Sequence, residues 1–292
     1  MKLRFKVAVW NEKKVRSLLP QRKPSHHKAL SGKVLVLGGD KEMLGAGLLS
    51  ALAAARSGAG YVYLAAPAFS FKVPLQVYHP DVLFIDPRTM RNKTKKIDLN
   101  RFQSLVLGPG LKPDAKTWAW IKFVKKNFKG SIVLDAGALE VLAKRYSKDP
   151  IELGSNWLFT PHEGEMAKLL GCNPDWVREN REKSVFLAHR RYKAGVLLKG
   201  AETLVMVHSR LNKISTGTPA LSKAGTGDVL AGMIAAFLAQ GLSVEASACV
   251  ASVIHGLSAR NWLKKSRDVL GLLATDLLVE IPETLHKVRQ NR

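Results

Sequence analysis

Cysteines are few in this 292-residue sequence, and long apolar runs are lacking. The two cysteines, Cys172 and Cys249, have neither CxxC nor metal-ligand spacing, which excludes a disulfide-stabilised scaffold and a zinc cluster. No apolar run approaches the ~20 residues of a membrane span. The first apolar run is interrupted by Lys6 and ends at Asn11, which is too short for a signal peptide. We therefore expect a soluble, globular protein of the cytoplasm.

Acidic residues are also scarce, with 23 Asp and Glu against 46 Lys and Arg, so the net charge is +23. Such an excess attracts polyanions, including nucleotides and nucleic acids. The basic residues are scattered, with modest clusters at 93–96, 122–129 and 264–267, and they form no ribbon interleaved with aromatic residues. A solvated basic surface is the favoured interpretation, and a nucleic-acid-binding protein without enzymatic activity is the alternative.

Short apolar runs that end in glycine or polar residues alternate with helical segments along the chain. This alternation is typical of an α/β fold with a mostly parallel sheet. We expect one domain over residues 1–292, with residues 1–31 as a leader of helix and loop packed on it. The predicted strands are 33–37, 61–65, 82–85, 104–107, 132–134, 157–159 and 196–198, followed by a hairpin of 204–207 and 212–214. The predicted helices are 12–19, 45–57, 118–127, 163–170, 229–239, 243–260 and 270–281, the last ended by Pro282.

Polar or glycine-rich loops follow most of these strands. Ligands of open parallel sheets bind beyond the carboxyl ends of the strands. The loops at Gly38, Gly108, Asp135, Thr160 and Lys199 should therefore converge on one edge of the sheet. This convergence is the main argument from the residues for an enzyme.

The stretch Gly225-Thr226-Gly227-Asp228 precedes an apolar helix. A helix start leaves backbone N–H groups unpaired and carries partial positive charge, so it can bind a phosphate, and glycines let the backbone close around it. Asp228 would then be a proton acceptor, and a helix start favours its ionised form at neutral pH. An ordinary capped helix start is the alternative interpretation.

Two further motifs follow strands. Lys199-Gly200 could neutralise and contact a phosphate, or form a plain turn. Residues 160–166 place His162 beside carboxylates that suit magnesium; the alternative is a helix start capped by Thr160 with Glu163. His255 lies among apolar residues and is interpreted as a core or interface histidine rather than a catalyst.

Several of these stretches together resemble the ADP-dependent NAD(P)H-hydrate dehydratases, which have the ribokinase-like fold. The combination of TPH-x-GEM with GTGDVLAG is the most specific part, since GTGD alone marks only the wider superfamily. The resemblance covers nearly the whole chain. It is carried by Gly38-Gly39, Gly45-Ala46-Gly47, residues 107–111 (LGPGL), 134–139 (LDAGAL), 160–166 (TPHEGEM), 198–203 (LKGAET) and 224–232 (AGTGDVLAG), and by Leu19, Pro20, Arg22, His27 and Lys28 near the start.

The resemblance implies a three-layer α/β/α fold, with helices on both faces of a mostly parallel sheet, and a hydro-lyase that repairs metabolites. ADP would phosphorylate the hydroxyl on the nicotinamide ring of (S)-hydrated NADH or NADPH. Loss of phosphate would then restore NAD(P)H, with AMP and phosphate as the other products. Because family members often form tetramers, the resemblance also implies a homo-oligomer.

The resemblance also implies roles for individual residues. Asp228 would take the hydroxyl proton, and Glu165 would order Mg²⁺ indirectly. The anion hole for the moving phosphoryl group would be Gly225, Thr226 and Gly227. The nucleotide would contact Lys199, Gly200, Ala201, Glu202, Thr203 and Gly227, and the hydrated dinucleotide would contact Ala46, Gly47, Gly110, His162 and Asp228.

The sequence departs from the family pattern at three places. Glu163 stands where a proline usually follows the TPH histidine, Ala224 stands where a glycine is common, and residues 216–219 lack the usual asparagine. The separate epimerase domain of some members needs more than the residues before Gly32. An ATP-dependent kinase of the same fold, acting on a vitamin precursor or sugar, is the alternative enzyme; His162 in place of the kinase asparagine argues against it.

Overall fold

One ten-stranded sheet organises the computed structural model, which describes residues 7–22, 25, 27–67, 77–91, 97–265 and 267–290. Across the sheet the order is first, tenth, ninth, eighth, seventh, sixth, fifth, second, third and fourth strand, and within the described residues only the ninth runs opposite to its neighbours. The strands are β1 (Val7–Trp10), β2 (Lys33–Leu37), β3 (Tyr61–Ala65), β4 (Leu83–Ile85), β5 (Ser104–Leu107), β6 (Ser131–Leu134), β7 (Trp157–Phe159), β8 (Gly195–Leu198), β9 (Thr203–Val207) and β10 (Arg210–Ile214).

Eleven α-helices lie within the described residues. None of them is both long and apolar enough to cross a membrane. Asn11 caps the first helix as predicted, because its side chain accepts the N–H of Lys14 at 3.0 Å. The helices are α1 (Glu12–Leu18), α2 (Leu44–Arg56), α3 (Pro87–Arg91), α4 (Ala115–Asn127), α5 (Gly137–Arg145), α6 (Glu163–Leu170), α7 (Pro174–Glu179), α8 (Arg181–Tyr192), α9 (Thr226–Ala239), α10 (Val244–Leu263) and α11 (Ala274–Gln290).

Alternate side chains of the central strands enter different cores. In β2, Val34 and Val36 pack in one core, whereas Leu35 and Leu37 pack in another. Successive side chains of a strand point to opposite faces, so the sheet must be covered on both sides. The first core includes α2, α9, α10 and α11, and the second includes α4 and α5. This confirms the predicted α/β fold with helices on both faces.

The leader contains a strand that the sequence does not predict. Residues 1–31 are expected to form a helix and loop, but Val7–Trp10 is β1, which pairs in parallel with β10 at the sheet edge. Trp10 is buried there, and its indole Nε1 donates to the side-chain oxygen of Asn212 at 2.8 Å. The partner lies about two hundred residues away along the chain, so no local pattern indicates the pairing.

The prediction that Pro282 ends the last helix is wrong. The helix α11 continues to Gln290 with Pro282 inside it. A proline in a helix interior costs about 3 kcal/mol. Ile281, Thr284 and Val288 are all buried on this helix, so packing on both sides of the proline offsets the cost. The helix also begins at Ala274, later than predicted, because Val269–Gly271 forms a 3₁₀ turn.

Four helices are absent from the sequence prediction, namely α3, α5, α7 and α8. The helix α8 is strongly charged, and its few apolar residues obscure the helical period. At other predicted helices the boundaries shift by a few residues; α9, for example, begins at Thr226 rather than Val229. The basic cluster at 93–96 lies outside the described residues.

The helices α2 and α9 pack with their backbones in near contact. A Cβ placed on Gly232 would lie 2.0 Å from the carbonyl oxygen of Ser50. The Ser50 hydroxyl also donates to the carbonyl oxygen of Asp228 at 2.8 Å. Both helices begin just after loops at the carboxyl edge of the sheet, α2 after β2 and α9 after β10. Their packing therefore fixes where the first turn of α9 lies.

We expect Gly232→Ala to destabilise the protein by about 1–3 kcal/mol, because the added methyl group collides with the backbone of α2. Urea unfolding monitored by circular dichroism measures the change. Gly45→Ala is the matched control, since a Cβ there meets nothing within 4 Å and alanine favours a helix. Equal midpoints for Gly232→Ala and wild type would contradict the close packing.

Candidate active site

Two side chains from the ends of strands on either side of β7 meet at the carboxyl edge of the sheet. Asp135 follows β6 and Lys199 follows β8, and the Lys199 Nζ atom lies 3.1 Å from Oδ1 of Asp135. Nζ also lies 3.6 Å from Oε2 of Glu165, in the first turn of α6. The structure therefore confirms the predicted convergence of the loops that carry Asp135 and Lys199. Asp135 is almost fully buried.

The charges around Lys199 favour its ammonium form. Burial alone would lower the pKa of Lys199, but Asp135, Glu165 and Asp228 outweigh burial and hold the pKa above its ordinary value. A Cβ on Gly227 would lie 3.3 Å from Nζ, so the ammonium lies directly beside the first turn of α9. One fixed positive charge and one helix start thus face the same space.

The first turn of α9 is open to an anion. Gly225 adopts the left-handed conformation, with φ +89°, and provides no side-chain cap for the helix. The Thr226 hydroxyl instead donates to the preceding turn, to the carbonyl oxygens of Leu221 at 2.8 Å and Lys223 at 2.9 Å. Backbone N–H groups at this helix start are therefore what Gly225 and Gly227 offer to a ligand, whereas that of Thr226 already makes a long hydrogen bond of 3.4 Å to the carbonyl oxygen of Lys223.

Asp228 does not have the ordinary acidity that the sequence predicts. Burial and the nearby charge of Asp135 together raise the pKa of Asp228 to about 7, against the opposing effect of Lys199. The expectation that the helix start keeps Asp228 ionised is therefore wrong, because burial and a second carboxylate outweigh the helix dipole. A carboxylate that titrates near neutrality is a better proton acceptor than one with an ordinary pKa.

His162 caps α6 through a reciprocal pair of hydrogen bonds. Its Nδ1 accepts the backbone N–H of Gly164 at 3.0 Å, and the Glu165 carboxylate accepts the backbone N–H of His162 at 2.9 Å. A cap formed by Thr160 with Glu163 is therefore wrong; the Thr160 hydroxyl contacts the carbonyl oxygen of Leu134 at 3.3 Å. Since Nδ1 is an acceptor, the ring proton lies on Nε2, which is 3.6 Å from Oε2 of Glu165, and the imidazole as a whole is largely exposed.

A cavity of about 830 Å³ lies beside Lys199, His162 and Gly227, whereas Asp228 and Glu165 are not among the described residues that line it. Of the predicted nucleotide residues, Lys199, Gly200, Ala201, Thr203 and Gly227 line it. The side chain of Glu202 instead pairs with Lys213 at 3.4 Å. Thr218 and Lys223 also line the cavity, because the loop after β10 packs on the loop after β8, where a Cβ on Gly217 would lie 2.6 Å from the carbonyl oxygen of Ala201. Arg178 lines it from α7.

The other predicted substrate residues form a second group. A Cβ on Gly110 would lie 2.3 Å from the carbonyl oxygen of Met43 and 3.2 Å from the Ala46 Cβ, and one on Gly47 would lie 2.8 Å from Gly38. Two glycine-rich loops are thus in contact. The helix α2 joins this group to Asp228, because Ser50 lies one turn beyond Gly47 and holds the Asp228 backbone.

His255 is a buried, neutral histidine, as the sequence predicts. Burial lowers its pKa to about 4, against the effect of its hydrogen bond to Thr226. Its Nε2 lies 3.0 Å from the carbonyl oxygen of Thr226, so Nε2 carries the ring proton and donates it to the first turn of α9. The side chain also reaches the cavity wall.

The arrangement can bind a phosphate and accept a proton from a group beside it. Lys199 and the start of α9 supply positive charge, and Asp228 supplies a base. Within the described residues, no group of three His, Cys, Asp or Glu side chains forms a metal-binding cluster.

Comparison with known sequences gives one family. A family model described as NAD(P)H-hydrate dehydratase matches residues 34–283. The bifunctional NAD(P)H-hydrate repair enzyme Nnr of Vibrio cholerae is 36% identical over 279 residues, which cover 92% of this chain and 53% of that protein. The chain thus spans about half the length of the curated relatives it matches.

Solved structures agree with the sequence comparison. The ADP/ATP-dependent NAD(P)H-hydrate dehydratase of Bacillus subtilis, co-crystallised with ATP and Mg²⁺, is 28% identical, with a TM-score of 0.85 over 97% of this chain and 99% of that one. A ribokinase-like superfamily protein of Enterococcus faecalis, 22% identical, has a TM-score of 0.84 over the full length of both chains. At that identity the second match shows the fold, which is ribokinase-like as predicted.

The raised pKa of Asp228 makes a prediction about stability. An acid whose pKa is raised in the folded state destabilises the fold once it is ionised, so the penalty is absent below the ordinary aspartate pKa of 3.8 and complete above about 7. Asp228→Asn should therefore be more stable than wild type by about 2–4 kcal/mol at pH 8, and the difference should vanish near pH 4. Urea unfolding at several pH values measures it.

The control for this series is Asp81→Asn, because Asp81 is exposed and lies at the amino end of β4, the outermost strand on one side of the sheet. Its stability should follow that of wild type at every pH. A constant difference between Asp228→Asn and wild type across the pH range would show that Asp228 has an ordinary pKa.

Proposed function

This chain belongs to the NAD(P)H-hydrate dehydratase family, and we propose that its active site dehydrates the hydrated nicotinamide ring of (S)-NADH or (S)-NADPH hydrate. One observation carries the proposal: Asp228, with a pKa near neutrality, lies at an uncapped helix start beside the Lys199 ammonium. A base next to a phosphate site is what transfer of a phosphoryl group to a hydroxyl requires.

The first step phosphorylates the substrate. The ring hydroxyl attacks the terminal phosphorus of the donor, Asp228 accepts the hydroxyl proton, and the bond to the leaving nucleotide breaks. With ADP as donor the leaving group is AMP. Backbone N–H groups of Gly225 and Gly227 would hold the moving phosphoryl group, and Lys199 would offset its charge.

The second step releases phosphate. The carbon–oxygen bond breaks with its electron pair leaving on the phosphate oxygen, the ring loses a proton from the adjacent carbon, and the double bond of the dihydropyridine forms. The reaction thus gives NAD(P)H, AMP and phosphate from hydrated NAD(P)H and ADP. Ala46, Gly47, Gly110 and His162 would orient the dinucleotide, and the Nε2–H of His162 can donate to one of its oxygens.

The carboxylates of the site also fit Mg²⁺. This ion is usually held by one or two carboxylates together with phosphates and waters, and Glu165 offers a carboxylate beside the phosphate site. When bound with the donor, Mg²⁺ would neutralise charge on the transferring phosphates. The B. subtilis relative, which was co-crystallised with ATP and Mg²⁺, supports this assignment and leaves ADP as donor a proposal.

Three further proposals concern the setting of the enzyme. We propose a homo-oligomer, with a tetramer as the expected form, and the exposed apolar side chains of Leu270, Leu273 and Val279 support a surface that is covered by a second copy.

The unpaired Cys172 and Cys249 support a cytoplasmic location. Small-molecule partners, hydrated NAD(P)H and the nucleotide, are favoured over nucleic acid by the cavity and its charges.

The decisive experiment is a donor assay. The protein is incubated with (S)- or (R)-hydrated NADH, Mg²⁺, and either ADP or ATP, while the reduced-nicotinamide absorbance is followed. We expect the absorbance to return with the (S) form, with AMP and phosphate released stoichiometrically when ADP is the donor. No return with either nucleotide would overturn the proposal. A stable phosphorylated product of another small molecule, formed from ATP, would instead indicate the kinase.

Asp228→Asn should lower kcat by about 10²–10⁴-fold because the base is removed. ADP binding should persist or tighten, since a negative charge near the phosphates is lost.

In wild type, kcat/KM should rise with pH through about 7 as Asp228 loses its proton. Steady-state kinetics and calorimetry measure these effects, with Asp81→Asn as the control. Full turnover in Asp228→Asn would refute the role of this residue as the base.

A further inference from the structure

Arg181, in the first turn of α8, lies against the loop that follows β8. Its Nη2 is 3.1 Å from the carbonyl oxygen of Lys199, 3.0 Å from that of Glu202 and 3.4 Å from that of Leu198. A Cβ on Gly200 would lie 2.6 Å from Nη2 and 3.0 Å from Cζ, so the guanidinium packs directly on the Gly200 backbone. The Arg181 side chain thus contacts this loop near both of its ends, at Lys199 and at Glu202.

The other side of the same guanidinium is held by Glu163. The Nη1 atom of Arg181 pairs with Oε1 of Glu163, the first residue of α6. Arg178 approaches the second carboxylate oxygen of Glu163 at 3.4 Å. Both Arg181 and Glu163 are largely buried at their side chains, so the pair is screened less by solvent than a surface ion pair. Glu163 is also a position where this sequence departs from its family.

The two contacts of Arg181 join the two halves of the site. The loop 199–203 provides Lys199 and the cavity wall predicted to receive the nucleotide, whereas α6 is capped by His162 and carries Glu165. A guanidinium is planar, and it can hold a carboxylate with one nitrogen and carbonyl oxygens with another. Its geometry therefore sets the position of the loop relative to the start of α6.

We propose that Arg181 is a positioning residue for the phosphoryl donor, acting by fixing loop 199–203 to Glu163 at the start of α6. The role rests on the proposed function, since the donor is a nucleotide only if the chain is a phosphoryl-transferring dehydratase. Arg181 touches neither reactant in this role. It keeps the Lys199 ammonium and the backbone of Gly200 and Ala201 where the donor phosphates and nucleoside bind.

Arg181→Met is the direct test, since it keeps an unbranched apolar stem and removes all four polar contacts. We expect the dissociation constant of MgADP, measured by calorimetry, and the KM of the donor to rise about tenfold or more. The KM of hydrated NADH should stay near that of wild type. Amide hydrogen exchange at residues 200–203 should speed up without any ligand present. Equal donor affinity and equal exchange in the variant and wild type would overturn the inference.

A purely structural role would give a different result. It would lower the melting temperature and raise both KM values together, and that outcome would also overturn the inference. The matched control is Arg190→Met, on the same helix, where the exposed guanidinium lies 5.7 Å from the Phe186 ring and away from the loop. Its donor affinity and loop exchange should match wild type.

Two further variants keep the test decisive if Arg181→Met does not fold. Arg181→Lys retains the charge but only a compact ammonium, so loop exchange should be intermediate; full restoration would show that charge alone suffices and would overturn the positioning role. Glu163→Gln should weaken donor binding less than Arg181→Met and add nothing in the double variant, because both act through one contact. If wild type neither binds MgADP or MgATP nor turns over, the proposed function fails, while the ligand-free exchange data still judge the Arg181 contact.

Discussion

The balance of charge around Lys199 is the constraint on which the site depends. One ammonium faces Asp135, Glu165 and Asp228, and all four groups lie at the carboxyl edge of one sheet. With every carboxylate ionised the group would have excess negative charge in a partly buried space, which is costly. The protein resolves this by raising the pKa of Asp228 to about 7, so that Asp228 is only partly ionised near neutral pH. The raised pKa of Asp228 thus lowers the stability of the folded protein above neutral pH and also gives the site a proton acceptor.

The rest of the fold holds the start of α9 against this cluster. Close contact of α2 with α9 at Gly232, the Ser50 hydroxyl on the Asp228 carbonyl, and the His255 imidazole on the Thr226 carbonyl all act on the first turns of that helix. These contacts come from two helices, α2 and α10. Fixed donors stabilise developing charge better than mobile ones because they need no reorganisation during the reaction.

Sequence reasoning found what depends on local pattern. Alternating apolar runs and their glycine-rich ends predict the sheet, and the polar residues at strand ends predict that Asp135 and Lys199 meet at one edge. Sequence reasoning failed for features that depend on contacts between residues far apart in the sequence. The pKa of Asp228 depends on burial and on Asp135, the capping role of His162 depends on its ring orientation, and Arg181 sits in a charged helix with no motif around it. Pro282 is a local signal that is outweighed by packing.

The edge strand β1 has a consequence for how the chain assembles during synthesis. Val7 pairs with Leu211, so β1 is synthesised about two hundred residues before the strand with which it pairs. Until β10 is made, the backbone N–H and C=O groups of β1 have no native partner, and closing so large a loop is entropically slow. The sheet can therefore be completed only after β10 has been synthesised, when the segment that carries β1 pairs with it.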